Sequence, residues 1–255
     1  MPNSDVISIQ LYSLRNFGEL DRQLDTVAAA GYRQVELIQP HFEDAAGTRA
    51  KLETRGLTAP SGHIGLAALR ERLDWVAEGA LAAGTRQLFM PALPTEERKG
   101  DGAHWRRAGQ ELGEFAARLA DRGIALGYHN HHWELEVMED GRPALAHFFD
   151  GAAGHPLAWQ VDVAWLARGG ANPSDWLVRE KARINAAHVK DIAPAGQKLD
   201  EDGWTDVGAG TLDWPRLWRE CRAAGAEWMV VEHDNPKHAD AFAKASFDFL
   251  KALPA

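Results

Sequence analysis

The sequence predicts an α/β fold, a single (β/α)8 TIM barrel that spans residues 1–255. Short apolar runs alternate with longer amphipathic segments from end to end, which is typical of parallel strands connected by helices. Eight such strand-then-helix units fit into the chain, and a closed barrel of this kind typically needs about 250 residues. An open doubly wound sheet is the alternative that the same pattern allows.

The predicted strands are short apolar runs, and several of them end in a polar residue. In chain order they cover residues 6–10, 35–37, 57–63, 86–90, 124–129, 157–161, 185–189 and 227–231. Pro91 and Pro94 follow the fourth run and end it, because proline has no amide hydrogen to donate to a neighbouring strand.

Each strand is followed by a segment with the spacing of a helix, as Leu20, Leu24 and Val27 illustrate in the first. The predicted helices cover residues 19–30, 45–55, 66–83, 105–122, 143–149, 174–181, 214–224 and 238–250. Glycine follows five of them, at positions 31, 56, 84, 123 and 225. Glycine readily takes the left-handed conformation that ends a helix, so these positions support the assignment.

Composition narrows the class of protein. The net charge of −9 and the pI near 5.6 argue against nucleic acid as a partner, because binding it needs a basic face. The single cysteine, Cys221, excludes an intramolecular disulfide and suits a reducing compartment. We find no signal peptide and no apolar stretch of about 18 residues. The sequence therefore predicts a cytoplasmic protein without a membrane partner.

Residues 128–134, which read Tyr-His-Asn-His-His-Trp-Glu, place three histidines, an asparagine and a carboxylate close together after an apolar run. A core strand has no packing use for so many nitrogen and oxygen ligands. Imidazoles and carboxylates are the ligands that a borderline divalent metal selects. The alternative is a solvated, histidine-rich loop, so the metal interpretation depends on partners elsewhere in the chain.

Polar side chains end most of the predicted strands. In chain order they are Glu36, His63, His129, Glu134, Asp162, His188 and Glu232. In a barrel the active site lies at the carboxyl ends of the strands, so these side chains are expected to share one rim. Asp162 is informative because a carboxylate that continues an apolar strand needs a partner to offset its desolvation.

Strands five to eight would each deliver one ligand to that rim. Carboxylates that converge there without a cation would repel one another. Two or three carboxylates and one imidazole around an open position form a mononuclear catalytic site for Mn²⁺, Co²⁺, Mg²⁺ or Zn²⁺. The alternative is a set of four unrelated polar strand ends.

The sequence resembles the xylose isomerase-like TIM-barrel superfamily, also called the sugar phosphate isomerase/epimerase family, over nearly its whole length. Within it, the chain looks like the subgroup with a Tyr-His-Asn-His motif, which is related to inosose dehydratase-like proteins. The motifs that carry the resemblance lie at residues 10–15, 31–32, 35–37, 61–63, 128–131 with Glu134, 162–165, 188–191, 207–210 with 213–214, and 232–234.

This resemblance implies one divalent metal ion held by Glu, Asp, His and Glu. The last three match Asp162, His188 and Glu232. For the first, the subgroup favours Glu134, while His129 and His131 are the alternatives.

The resemblance also implies isomerisation or epimerisation of a keto-sugar through a metal-stabilised enediolate. Glu134 and Glu232 are then candidate bases, and Lys190 is a candidate donor to a substrate oxygen, with a surface lysine as its alternative. The candidate substrate contacts are Glu36, His63, His129, His131 and Trp165. Glu36 has a structural ion pair as its alternative, and residues 192–211 could form a lid over the site.

Three other functions fit the same resemblance. A lyase would use the same metal and enolate but expel a hydroxyl as water. A metal-dependent sugar-binding protein would keep the site without turnover. An apurinic-site endonuclease would need further metal ligands where Met90 and Trp165 stand, and the acidic charge also opposes it. The expected partner is a small carbohydrate substrate, and a homodimer is one assembly that the sequence allows.

Overall fold

Eight parallel strands form a closed barrel in the computed structural model, which describes residues 3–254. The strands in chain order are β1 (Ile7–Gln10), β2 (Gln34–Leu37), β3 (Thr58–His63), β4 (Gln87–Met90), β5 (Ala125–His129), β6 (Ala158–Asp162), β7 (Ile184–Val189), the rim pair β8 (Asp191–Ile192) and β9 (Trp204–Thr205), and β10 (Trp228–Val231). β1 pairs in parallel with both β2 and β10, which closes the ring. The predicted (β/α)8 barrel is confirmed, and the open sheet is excluded.

Ten helices of the described residues cover the barrel and its rim. They are α1 (Leu20–Ala30), α2 (Ala45–Glu53), α3 (Leu66–Glu71), α4 (Leu73–Ala83), α5 (Gly102–Ala120), α6 (Ala144–Gly151), α7 (Val163–Arg168), α8 (Pro173–Arg179), α9 (Trp214–Ala224) and α10 (Ala239–Lys251). Between residues 3 and 254, no helix is both long and apolar enough to cross a bilayer.

Two features of the helices differ from the prediction. The segment 66–83 divides at Arg72, whose backbone (φ −138°, ψ 39°) leaves the helical region. The Arg72 guanidinium lies 3.9 Å from the centre of the Trp75 ring, and no glycine or proline marks this break. The short helix α7 directly follows β6, because the Asp162 carboxylate accepts a hydrogen bond of 2.8 Å from the Trp165 amide and caps it.

The first and last helices pack together and complete the wall around β1. The Tyr32 hydroxyl donates to the carbonyl of Ala243 in α10 at 3.0 Å. Gly31 ends α1 with φ +112°, and a Cβ there would lie 2.6 Å from the Phe247 ring. Glycine at this position therefore serves both the left-handed turn and the close approach of α10.

The long segment 192–211, predicted as a lid, is held against the end of β7. The buried carboxylate of Asp191 accepts four backbone hydrogen bonds of 2.9 to 3.2 Å from Ile192, Gly208, Gly210 and Leu212. β9 pairs with β8 in the antiparallel sense and buries Trp204. The segment is thus an ordered part of the rim, and its movement as a lid stays a prediction.

The buried thiol of Cys221 gives a simple test of this packing. Burial raises the pKa of Cys221 in α9, and the thiolate is the reactive form. We expect a disulfide reagent to leave the native protein unlabelled and to label one thiol per chain in denaturant. The Cys221→Ser variant is the control for non-specific labelling, and rapid labelling of the native protein would contradict the packing of α9.

Candidate active site

Four buried side chains converge at the carboxyl end of the barrel. They are His129 at the end of β5, Asp162 at the end of β6, His188 in β7 and Glu232 directly after β10. Each offers a ligand atom, and all four atoms lie within 4.8 Å of one another. The strand register explains the meeting, since Asp162 pairs with His188 across β6 and β7.

The donor set of this group fits a divalent metal. The His188 Nδ1 atom lies 2.9 Å from Glu232 Oε2 and 4.0 Å from Asp162 Oδ2. Asp162 Oδ2 is buried and has no hydrogen-bond partner among residues 3–254. Burial raises the pKa of Asp162 to about 6. A cation placed among these atoms would provide the partner that the buried oxygen lacks.

Glu134, the favoured first ligand from the sequence, does not join this group. It lies in a short 3-10 turn, Trp133–Leu135, and its carboxylate accepts hydrogen bonds from the Tyr128 hydroxyl and from the His131 amide. Both of its oxygens are therefore engaged within its own loop. His129, the alternative weighed from the sequence, is the β5 side chain that groups with the other three.

The hydrogen bonds of Asn130 hold the turn that follows β5. Its side-chain oxygen accepts hydrogen bonds from the Asp162 amide at 2.9 Å and from the Trp159 indole at 3.0 Å. Its amide nitrogen donates to the carbonyl of Asp162 at 3.2 Å. Asn130 thus ties the end of β5 to the end of β6 and sets His129 beside Asp162.

Two further residues orient the imidazoles of the group. His129 Nδ1 lies 3.1 Å from the Gln160 side-chain oxygen, so its Nε2 faces Asp162. His188 Nε2 lies 2.7 Å from Glu36, so its Nδ1 faces Glu232. Metal-binding histidines commonly donate their second ring nitrogen to a carbonyl or carboxylate in this manner. Gln160 was missed from the sequence, although it precedes Asp162 by two residues and so points to the same side of β6.

Glu36 lies inside the barrel and does not line the pocket. Ser61, Gln160 and Gln10 donate to its carboxylate at 2.7, 2.6 and 2.8 Å. Although burial opposes ionisation, His63 and His188 hold the pKa of Glu36 well below its usual range. Because the Glu36 carboxylate is fully buried, this geometry does not support the predicted contact with substrate. The structural alternative fits, with Glu36 as a positioning residue for His188.

The Glu36→Gln variant tests this positioning role. An amide keeps the size of the side chain but removes the negative charge that His188 faces. We expect metal binding to weaken by about 10- to 100-fold, as for other residues that orient a ligand, measured by competition with a chelator. Glu43→Gln on the surface is the matched control. Unchanged affinity, with the fold intact by circular dichroism, would remove Glu36 from this role.

Lys190 is buried and not a surface lysine. Its ammonium group lies 2.9 Å from Glu232, 2.7 Å from Asp234 and 3.8 Å from Asp162. It also lies 4.6 Å from the centre of the Trp204 ring. Burial opposes its charge, but the three carboxylates raise its pKa above the ordinary value. Lys190 therefore balances the negative charge beside the group, and Asp234 is a further residue that the sequence analysis missed.

His131 faces the pocket and leaves one ring nitrogen free. Its ring stacks on Trp133 at 4.1 Å between centres. Its Nδ1 is buried, and no described residue forms a hydrogen bond with it. Burial, together with Lys190, lowers the pKa of His131 well below its usual value. Burial and Lys190 therefore favour the neutral imidazole.

A cavity of about 390 Å³ opens above the group. Its inner, polar part is formed by Gln10, His63, His129, His131, Glu232 and Asp234. The predicted contacts His63, His129 and His131 therefore reach the cavity. Trp165 does not line it and instead packs behind His131, with 5.3 Å between ring centres.

Comparison with known proteins identifies the family of this barrel. The sequence model of the xylose isomerase-like TIM barrel matches residues 24–253. The chain belongs to the xylose isomerase-like TIM-barrel family. The rhizopine catabolism protein MocC of Rhizobium meliloti is a relative, 24% identical over 170 residues. That alignment covers 60% of this chain and 51% of MocC, so the chain spans about half the length of this relative.

Solved structures share the fold at low sequence identity. A sugar phosphate isomerase/epimerase from Parabacteroides distasonis has a TM-score of 0.81 at 18% identity, covering 97% of this chain and 94% of that one. The probable 3-DHS dehydratase AsbF from Bacillus anthracis has 0.73 at 14%, covering 97% and 99%. An L-ribulose 3-epimerase has 0.71 at 15%, covering 96% and 92%. The xylose isomerase-like fold thus occurs in proteins named as isomerases, epimerases and a dehydratase.

Proposed function

We propose that this protein is a metal-dependent isomerase or epimerase that moves a proton at a carbon atom of a keto-sugar or a related carbohydrate. The observation that carries the proposal is the buried group of His129, Asp162, His188 and Glu232 at the floor of an open cavity. The unpartnered oxygen of Asp162 supports a cation there, and the position of His131 on the cavity supports proton transfer.

His129, Asp162, His188 and Glu232 would hold one divalent ion. Two imidazoles and two carboxylates suit Mn²⁺, Co²⁺ or Zn²⁺ better than Mg²⁺, which prefers oxygen ligands alone. When bound, such an ion supplies Lewis-acid polarisation of carbonyl and hydroxyl oxygens. Gln160 and Glu36 would keep the two imidazoles in the required orientation.

We assign proton abstraction to His131. Glu134, a candidate base from the sequence, does not line the cavity and has both oxygens engaged. Glu232 lines the cavity, but its Oε2 faces both His188 and Lys190, which weakens it as a base. His131 Nδ1 carries no such partner in the described chain. Lys190 acts on charge balance rather than as a direct donor, because it pairs with Glu232 and Asp234.

The test is hydrogen exchange at carbon. We would incubate the protein with Mn²⁺ in D₂O and a panel of ketoses, 3-keto-glycosides and inososes, and follow deuterium by NMR. We expect incorporation next to the carbonyl in at least one substrate. Metal-loaded protein that exchanges no proton on any member would instead favour a carbohydrate-binding protein without turnover.

A lyase is the second candidate, and Asp234 is the observation in its favour. This carboxyl group lines the cavity, and burial raises its pKa, although Lys190 opposes the rise. A shift in this direction favours the protonated carboxyl group, which is the form that could donate to a departing hydroxyl. The same panel separates the two reactions, since a lyase product lacks the mass of one water while an isomer keeps the substrate mass.

A further inference from the structure

Arg98 is the single lysine or arginine among the described residues that line the cavity. It lies in the rim loop between β4 and α5. The same cavity is lined by the carboxyl groups of Glu232 and Asp234, which come after β10. The wall thus carries acidic groups next to the proposed metal ligands and one positive charge on a different loop.

The guanidinium group of Arg98 is held in a fixed position. It lies 4.1 Å from the centre of the Trp133 ring, and its Nε atom donates to the carbonyl of Leu93 at 2.8 Å. The Trp133 ring is itself stacked against His131, with 4.1 Å between the ring centres. A planar guanidinium that is already oriented in this way loses little conformational freedom when it binds a ligand.

The two Nη atoms of Arg98 remain available for a ligand. Nε is the sole nitrogen of this side chain that has a hydrogen-bond partner among residues 3–254. The neighbouring Glu97 does not neutralise Arg98, because its two oxygens accept hydrogen bonds from Arg70 at 2.6 and 2.8 Å. Two free Nη groups on one guanidinium are the donors that bind a planar anion through a pair of parallel hydrogen bonds.

Gln39, which follows β2, adds a second hydrogen-bond donor to the wall. Its side-chain oxygen accepts a hydrogen bond of 2.9 Å from the Gly65 amide. Because this oxygen is engaged, the amide nitrogen is the group that Gln39 offers to a ligand in the cavity. The loops after β2 and β4 therefore present donors, whereas the end of β10 presents carboxyl groups.

A carboxylate matches Arg98 better than a phosphate or a hydroxymethyl group does. One guanidinium balances the single charge of a carboxylate. A phosphate monoester carries about −1.5 to −2 at pH 7, and the excess charge would lie in a cavity that also contains Glu232 and Asp234. A hydroxymethyl group carries no charge and forms weaker hydrogen bonds with a cation than an anion does.

We propose that Arg98 forms a subsite for a carboxylate, so that the substrate is a keto-sugar acid and not a neutral or phosphorylated sugar. This inference rests on the proposed function, which places the carbonyl end of the substrate at His129 and Glu232. The carboxylate at the other end of the carbon chain then accepts hydrogen bonds from the two Nη groups of Arg98, and Gln39 donates to an oxygen of the same substrate.

The experiment compares probes that differ at one carbon atom, by calorimetry with the Mn²⁺-loaded protein. The pairs are D-fructuronate with D-fructose and D-tagaturonate with D-tagatose, and D-fructose 6-phosphate is the third form of the first pair. We expect the acid of at least one pair to bind at least about 10-fold more tightly than its neutral counterpart, as hydrogen bonds to charged groups allow. The Arg98→Gln variant should lose this preference. Arg107→Gln, on the exposed side of α5, is the matched control and should keep it.

Equal affinities within both pairs, no binding of either acid, or tighter binding of the phosphate would overturn the subsite. A preference for the acid that survives in Arg98→Gln would overturn it as well, since the carboxylate would then bind elsewhere, for example to the metal ion. Exchange of the α-proton is measured on the same compounds and separates the two proposals. Exchange without a preference for the acid leaves the reaction and removes the subsite. A preference that depends on Arg98 without any exchange leaves the subsite and removes the reaction.

Discussion

Replacing Asp162 with alanine is expected to abolish stoichiometric metal binding. The carboxylate is fully buried, its Oδ2 has no partner among residues 3–254, and it faces both His129 and His188. Residues that only orient a ligand cost about 10- to 100-fold in metal affinity when removed, so loss of a ligand itself should exceed about 100-fold. Metal content is measured by mass spectrometry after dialysis against Mn²⁺.

The fold of this variant should survive. Asp162 also caps α7, and loss of a cap typically costs about 1 kcal/mol. Removal of a buried carboxylate whose Oδ2 has no hydrogen-bond partner among residues 3–254 changes the stability in the opposite direction. Asp175→Ala, on the exposed side of α8, is the matched control. A folded Asp162→Ala protein that still holds one metal ion per chain would show that the proposed centre is misplaced.

Replacing His131 with asparagine is expected to slow proton exchange at carbon by about 10² to 10⁴, the usual contribution of a general base. The side chain lines the cavity, and burial together with Lys190 lowers its pKa, which favours the neutral ring. Asparagine retains a polar group but cannot take up the proton. Deuterium incorporation by NMR measures the rate with Mn²⁺ at saturation.

The neighbouring residue supplies the control. His132 is exposed and stacks on Trp165, so His132→Asn changes the same loop without touching the cavity. Metal content should stay unchanged in both variants, because neither histidine belongs to the ligand group. An exchange rate that falls equally in both would point to disturbance of the loop and would remove His131 as the base.

The strand ends could be predicted from sequence because alternation along a strand and the position of each polar residue are local features. These local features are enough to identify Asp162, His188 and Glu232 as candidate site residues, and the barrel register brings the three together. The direction of the turn after β5 depends instead on Asn130 and its hydrogen bonds to β6. For this reason the spacing of the histidine-rich stretch could not separate Glu134 from His129.

Contacts between residues that lie far apart in the sequence could not be predicted either. The neighbours of Lys190 include Asp234, 44 positions further along the chain, and only the adjacency of β7 and β10 brings the two together. The break at Arg72 has no sequence signal of its own, since neither a glycine nor a proline lies there. The fold could therefore be predicted from local sequence patterns, whereas the composition of the site depends on contacts between strands that the sequence does not show.

The anchoring of the rim segment by Asp191 bears on how this family can diversify. One carboxylate holds the loop through main-chain amides, so substitutions of most side chains there leave the anchor intact. The exceptions are Gly210, where a Cβ would lie 2.1 Å from Asp191, and Gly208, with φ +89° and Phe249 at 2.4 Å. Mutations could therefore alter the side chains of this rim segment over evolutionary time while its backbone anchor is kept.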